Sequence, residues 1–159
     1  MLSFVAASGG LAALLSGSAQ PLSAHAPGTP CRVSSDQRAG LTPNLCQSAH
    51  SCSIRTGDKF LSRLLPPLLR RLEPDGLLFV TWDEGDFASE RGCCRLAAGG
   101  NVAAIVAGGA ARRGAVSTVP YDHYSVLRTI EDVWRLPDLG GAACPCTRAM
   151  RDLIAPEVP

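Results

Sequence analysis

The stretch that decides the fold is residues 77–86, which read LLFVTWDEGD. Its first five residues form an unbroken apolar run between a turn (residues 73–76, EPDG) and a group of acidic residues. Such a run is typical of a strand that is buried on both of its faces in an α/β sheet. We therefore predict a buried strand over residues 77–81, with polar side chains following its carboxyl end.

A helix is predicted before this strand. Apolar residues recur at helical spacing between Phe60 and Leu72, and residues 56–58 (TGD) have the character of a helix start. Pro66 and Pro67 interrupt the apolar face. Because proline lacks a backbone donor and clashes with the preceding turn, we expect a kink or two short helices there.

Three further elements are predicted after the strand. Residues 101–107 (NVAAIVA) indicate a second buried strand, which Gly108 and Gly109 end. Residues 124–135 indicate a helix that begins after a cap at Asp122 and stops before Pro137. A final short helix is predicted over residues 147–154.

The predicted elements indicate the α/β class, but only two strands are evident, whereas doubly wound sheets usually have about five or more. We expect the other strands to lie in an absent part of the protein, so that the chain is truncated at its N-terminus. Residues 1–40 are rich in Ala, Gly, Ser and Pro, and we expect a disordered or signal-like segment there. Residues 24–26 (AHA) have the form of a signal-peptidase site. The organised part is residues 41–159.

Composition limits the partners. The formal net charge of +1 gives no electrostatic reason to expect nucleic acid. No stretch reaches the ~20 apolar residues that a transmembrane helix needs. Seven cysteines is a high count for a cytosolic chain of this size, and Cys46 and Cys52 flank a short loop. We predict a Cys46–Cys52 disulfide and a secreted or cell-envelope location, with reduced buried thiols as the alternative.

Asp83 and Glu84 directly follow the first predicted strand. In open α/β sheets, ligands bind outside the carboxyl ends of the strands. Two adjacent carboxylates repel each other there, and a divalent cation is the simplest partner that lets both ionise. The pair is therefore a candidate metal site, with an exposed acidic loop as the alternative.

Two other loops carry candidate ligands. Asp122 and His123 precede a predicted helix, whose N-terminus attracts anions, and the imidazole is able to bind a metal or a phosphate oxygen. Asp122 orients that ring or caps the helix, and a plain capping loop with a surface histidine is the alternative. Asn44 and His50 lie on the cysteine loop (residues 42–52), although Pro-Asn also marks ordinary turns.

Five motifs follow one another along the chain: T-P-N-L-C (42–46), H-x-C (50–52), T-G-D (56–58), T-W-D-E-G (81–85) and Y-D-H-Y-S-x-L-R-T-I-E-D (121–132). This order resembles the phosphoesterase family of the alkaline-phosphatase-like superfamily, which includes bacterial secreted acid phosphatases and phospholipases C. The resemblance extends from about Thr42 to Gly140. It implies an alkaline-phosphatase-like α/β/α sandwich, of which this chain carries the C-terminal half.

The resemblance also implies a function, a metal-dependent hydrolase that acts on phosphomonoesters, with phosphatidylinositol phosphates and other phospholipid headgroups as plausible substrates by analogy. It implies a divalent metal ion, of unknown identity, held partly by Asp83 and Glu84. His123 and His50 match active-site histidines and are our candidate catalytic residues.

Asn44 and Asp122 are our candidates for substrate binding. The family has a Ser or Thr nucleophile in its N-terminal half, and nothing in residues 1–40 resembles it, so we nominate no nucleophile. Two alternatives stay open: a catalytically inactive remnant that at most binds metal or phosphate, and a small disulfide-stabilised interaction protein. The oligomeric state is not predicted.

Overall fold

The computed structural model describes residues 2–7, 39–72, 74–85, 92–94 and 97–156. Within these residues the strands are β1 (Leu2–Ala7), β2 (Ala39–Leu41), β3 (Leu77–Trp82) and β4 (Ala104–Ala107). They form one sheet in the order β2-β1-β3-β4, with every neighbouring pair antiparallel. The same residues contain the helices α1 (Ile54–Leu69) and α2 (His123–Trp134), and 3-10 turns at Gly140–Ala143 and Arg151–Leu153. The predicted α/β class is confirmed.

Strand β3 is the centre of the apolar core, as the sequence predicts, and its first four residues are buried. Successive side chains of a strand point to opposite faces of the sheet. Leu77 and Phe79 accordingly join a cluster with α2 and Met150, whereas Leu78 and Val80 join a second cluster with α1. The sheet therefore carries one helix against each face of β3.

Helix α1 differs from its prediction at two points. It begins at Ile54, after Ser53, whose main-chain oxygen accepts the N–H of Thr56 at 2.8 Å. Gly57 then lies close against the cysteine loop: a Cβ there would stand 3.2 Å from the Cβ of Ala49. It also continues as one helix through Pro66 and Pro67 to Leu69. Both prolines lie on the exposed face, where water is able to bond the carbonyl groups that they leave unpaired.

Helix α2 agrees with its prediction. Asp122 is the N-cap, and Arg135 ends the helix in the left-handed conformation, two residues before Pro137. The helix predicted over residues 147–154 is wrong, because only Arg151–Leu153 turns, as a 3-10 element. Ile154 instead has extended backbone and forms an isolated bridge with Ala111, which ends the turn.

Strand β4 is shorter and less buried than predicted. It begins at Ala104 rather than residue 101, and Ile105 is 52% exposed. The physical reason is its position, because β4 is an edge of the described sheet and pairs only with β3 within it. The sequence pattern identified an apolar strand but not the face that stays uncovered.

Strands β1 and β2 are additions that the sequence reading did not predict. β1 pairs with β3, with Phe4 opposite Val80, and β2 pairs with β1. Leu2–Ala7 thus forms a strand within the segment expected to be disordered or signal-like. The possible signal-peptidase site at residues 24–26 lies outside the described residues.

The predicted Cys46–Cys52 disulfide is confirmed, with the two Cα atoms 4.7 Å apart. The described residues also contain the disulfide pairs Cys93–Cys94 and Cys144–Cys146. As for membrane spans, no helix in the described ranges has both the length and the apolar character that crossing a bilayer requires.

Candidate active site

The end of β3 and the start of α2 meet through a hydrogen bond. The Nε2 atom of His123 lies 2.8 Å from the main-chain oxygen of Trp82, the last residue of β3. Because a carbonyl oxygen only accepts, the hydrogen must be on Nε2, and the neutral ring then has its lone pair on Nδ1. The ring is thereby held beside the acidic residues that follow the strand.

Asp122 has a structural role in addition to any chemical one. Its Oδ1 accepts the backbone N–H of Ser125 at 2.8 Å, and the Ser125 hydroxyl accepts the Asp122 N–H in return, which is a capping box. The residue is only 8% exposed, and its Oδ2 is buried without a partner in the structure. One carboxylate oxygen thus fixes the helix, and the other has no hydrogen-bond donor among the described residues.

One cavity of about 240 Å³ brings three of the candidate residues together. Asp83, Asp122 and His123 all line it, with Tyr121 and Cys93 beside them. The apolar part of its wall includes Val126 and Met150. The T-W-D-E-G and Y-D-H-Y-S motifs therefore face a common space, although they are about 40 residues apart in the sequence.

Glu84 lies elsewhere. It lines a second depression, of about 450 Å³, together with Gly57 and Leu61 of α1. Both residues follow the end of β3 at Trp82, and their adjacency in sequence does not bring the two carboxylates to the same cavity. The described residues contain no group of three or more His, Cys, Asp or Glu side chains able to hold a metal ion. By themselves they do not form a complete metal site.

The cysteine loop is attached to the same strand end but supplies neither cavity with a ligand from Asn44 or His50. Asn44 accepts the backbone N–H of Gln47 at 2.8 Å and so stabilises the local turn. The exposed His50 ring makes a hydrogen bond of 3.0 Å with the Ser51 hydroxyl. The loop is fixed by the indole N–H of Trp82, which donates to the main-chain oxygen of Ser48 at 3.0 Å.

Two residues near the cavity were missed by sequence reasoning. Tyr121, within the recognised motif, donates its hydroxyl to Asp152, which lies beyond all the motifs. Burial, followed by the hydrogen bond and the charge of Asp152, raises the pKa of Tyr121 to about 12. The hydrogen bond from Ser117, followed by that from Tyr121, holds the pKa of Asp152 below its usual value. The sequence feature that could have drawn attention to Tyr121 is its hydroxyl group, because a buried Tyr hydroxyl usually has a hydrogen-bond partner.

Comparison with known proteins follows the same motifs. The sequence model of the phosphoesterase family matches residues 38–137, more than half of the chain. A phosphate-repressible acid phosphatase of Penicillium chrysogenum is 31% identical over 113 residues, 68% of this chain and 26% of that protein. A phosphatidylinositol-3-phosphatase of Mycobacterium tuberculosis is 32% identical over 103 residues, 64% of this chain and 31% of that protein.

The chain therefore spans only about a quarter to a third of the length of these curated relatives. No solved structure matches it at a significant level.

Proposed function

This chain belongs to the phosphoesterase family, and from that premise we propose that it hydrolyses phosphomonoesters as an acid phosphatase does. The observation that carries the proposal is the hydrogen bond from the His123 ring to the Trp82 carbonyl oxygen. This bond joins the two most specific motifs of the sequence at one cavity, where Asp83 and Asp122 are also found.

The charges around the cavity suggest what a phosphate needs there. Asp83 and Asp122 line it, and its described lining residues include no Lys or Arg. Two carboxylates repel a phosphate dianion unless a cation offsets them. In our proposal this positive charge comes from the His123 ring with both of its nitrogens protonated and from a divalent cation that Asp83 would help to hold, whereas Glu84 lines the other depression. Further ligands for that cation would come from outside the described residues.

The chain's own residues have separate roles in this proposal. His123 contacts a phosphoryl oxygen and, when both ring nitrogens are protonated, gives the Nδ1 proton to the leaving oxygen, because the Nε2 hydrogen is held by the Trp82 carbonyl oxygen. His50 and Asn44 keep in this proposal the substrate-contacting roles that the family resemblance implies, although neither lines the cavities described above. A Ser or Thr would attack phosphorus in line, and water would hydrolyse the phospho-enzyme. That nucleophile stays unassigned.

The substrate class is a finer part of the proposal. The relative from Mycobacterium tuberculosis is named a phosphatidylinositol-3-phosphatase, and from that name we propose a phosphoinositide headgroup. Comparing kcat/KM for dispersed phosphatidylinositol 3-phosphate and para-nitrophenyl phosphate tests it. A higher value for the lipid is expected, and equal values would reduce the assignment to a general phosphomonoester.

The alkaline-phosphatase-like sandwich and the secreted location are also proposals. Helices on both faces of β3 support the former. The Cys46–Cys52 disulfide supports the latter, because disulfides persist in oxidising compartments.

Turnover of para-nitrophenyl phosphate with added divalent metals tests the function. We expect Asp83→Asn and His123→Gln each to lower kcat by about 100-fold or more. Asp75→Asn is the matched control, since Asp75 is an exposed acid before the opposite end of β3. Unchanged turnover in both site variants would contradict the proposal. Calorimetric metal or phosphate binding by a wild-type chain without turnover would support the inactive, binding-only alternative.

A second pair of variants separates the two roles of Asp122. Asn caps a helix about as well as Asp, whereas Ala costs about 1 kcal/mol. We therefore expect Asp122→Asn to keep the free energy of unfolding but to lower kcat, and Asp122→Ala to lower both. If Asp122→Asn retains full turnover, the residue is a helix cap and not part of the site.

A further inference from the structure

Two hydroxyl groups converge on Asp152. The Ser117 hydroxyl donates to Oδ2 and the Tyr121 hydroxyl to Oδ1, so that each carboxylate oxygen accepts one bond. The Ser117 oxygen in turn accepts the backbone N–H of Val119 at 3.1 Å. The Asp152 carboxylate is therefore hydrogen-bonded to both ends of the segment from residue 117 to residue 121.

Asp152 itself is attached to the sheet. It lies in the 3-10 turn Arg151–Leu153, whose neighbours bond the chain that follows β4: Arg112 N–H donates to Leu153 O at 2.9 Å, and Ala155 N–H donates to Ala110 O at 2.8 Å. The Arg112 guanidinium also donates to the main-chain oxygen of Asp152 at 3.4 Å. Because these are mostly backbone hydrogen bonds, they hold the main chain that carries the Asp152 carboxylate in place.

The other end of the connection reaches the cavity. Tyr121 lines it beside His123 and packs against the core cluster that contains Met150. Tyr121 directly precedes the N-cap Asp122 in the chain, so a displacement of Tyr121 also displaces the first turn of α2. That turn carries the His123 ring, whose contact with Trp82 defines the candidate site.

We propose that Asp152 is a positioning residue, which holds Ser117 and Tyr121 so that His123 stays at the end of β3 for phosphoester hydrolysis. This role rests on the proposed function, but the placement of His123 is measurable without turnover. Asp152 does not line the cavity among the described residues, so it acts through Tyr121 and not on the substrate. It also lies beyond the residues matched by the family model.

The first test is nuclear magnetic resonance of the His123 ring in histidine-labelled protein, assigned with His123→Gln. Asp152→Asn leaves one oxygen to accept two hydroxyl donors, and Tyr121→Phe removes one donor. We expect both variants to shift or broaden the His123 ring signals. Thr118→Val, at an exposed neighbour of Ser117, is the control and should leave them unchanged.

A rescue pair makes the test specific. Ser117→Ala removes the hydroxyl and should move the His123 signals, whereas Ser117→Thr keeps it and should restore the wild-type position. If Asp152→Asn does not fold by circular dichroism, Tyr121→Phe and the Ser117 pair decide the outcome. Wild-type His123 signals in folded Tyr121→Phe and Ser117→Ala would overturn the proposal.

Activity supplies the second readout. Displacement of His123 should lower kcat of Tyr121→Phe about tenfold or more, with KM within about twofold because the aromatic ring that lines the cavity is kept. If the wild-type chain shows no turnover, the proposed function fails and the ring signals alone decide the positioning role. If it turns over and Tyr121→Phe matches it in kcat, the positioning role fails while the function stands.

Discussion

Trp82 connects three parts of the sequence that otherwise lie far apart. Its indole N–H holds the cysteine loop through Ser48, and its carbonyl oxygen accepts the bond from His123. The residue is also the last of β3, directly before Asp83. It belongs to the T-W-D-E-G motif, in which the sequence analysis assigned a role to the two acidic residues but none to the tryptophan.

We expect Trp82→Phe to lower the free energy of unfolding by about 1 kcal/mol, because the ring is largely replaced but the bond to Ser48 is lost. Urea unfolding measures the change. Tyr124→Phe, at an exposed tyrosine, serves as control and should stay within about 0.5 kcal/mol of the wild type. Equal stability of wild type and Trp82→Phe would mean that the indole bond contributes nothing.

For single residues, the sequence identified the candidate side chains but not the cavity that each of them lines. The motifs associated Asp83, Asp122 and His123, and in the structure all three line one cavity. They did not separate Asp83 from Glu84, since the cavity that each carboxylate lines depends on how the chain turns after β3 ends at Trp82. Asp152 could not be found at all, because its partners are about 30 residues away and no motif includes it.

Among the elements, α2 was the most predictable because its signals are local. Asp122 and Ser125 form the capping box within four consecutive residues, and Pro137 follows the end. In α1 the local signal misled, since Pro66 and Pro67 argue against a helix that packing on the sheet nevertheless stabilises. Propensity is a weak prior wherever an amphipathic face is buried.

The segment after α2 gives a prediction about one buried carboxylate. Glu131 is 1% exposed and accepts the backbone N–H of Leu139 at 3.1 Å. Glu131→Ala removes that bond and opens a cavity, so we expect a loss of about 1–3 kcal/mol in urea unfolding.

Asp132 provides the matched control, being an acid at the next position of the same helix. It pairs with Arg128 and Arg151 nearer the surface, and Asp132→Ala should therefore lose at most about 1 kcal/mol. A larger loss for Asp132→Ala than for Glu131→Ala would contradict this ranking.

For the molecule as a whole, the sequence predicted the strand with the strongest apolar run and missed half of the described sheet. β1 and β2 are short, and about 30 residues or more separate them from each other and from β3. Their pairing therefore depends on contacts distant along the chain. Periodicity reports how one segment is buried, but not which segment lies beside it. The antiparallel order was therefore beyond what the pattern alone contains.

The disulfides offer a test at the same scale. We expect the double variant Cys46→Ser/Cys52→Ser to unfold at a lower temperature under non-reducing conditions, with a loss on the order of 2 kcal/mol. Cys144→Ser/Cys146→Ser closes a shorter loop, with a separation of 2 residues rather than 6, and should lose less. Mass spectrometry of native protein should find no free thiol at Cys46 or Cys52; the opposite result would remove this pair from the fold.

Strand β3 belongs to two apolar clusters at once, with alternate side chains assigned to each. Neither helix is then able to leave the sheet without exposing apolar side chains of β3, so we expect the described residues to unfold together. Amide hydrogens along this strand should exchange with solvent only when the entire described fold opens. A ligand that tightens the His123 side would consequently slow exchange in the helix on the far side, with no contact between them.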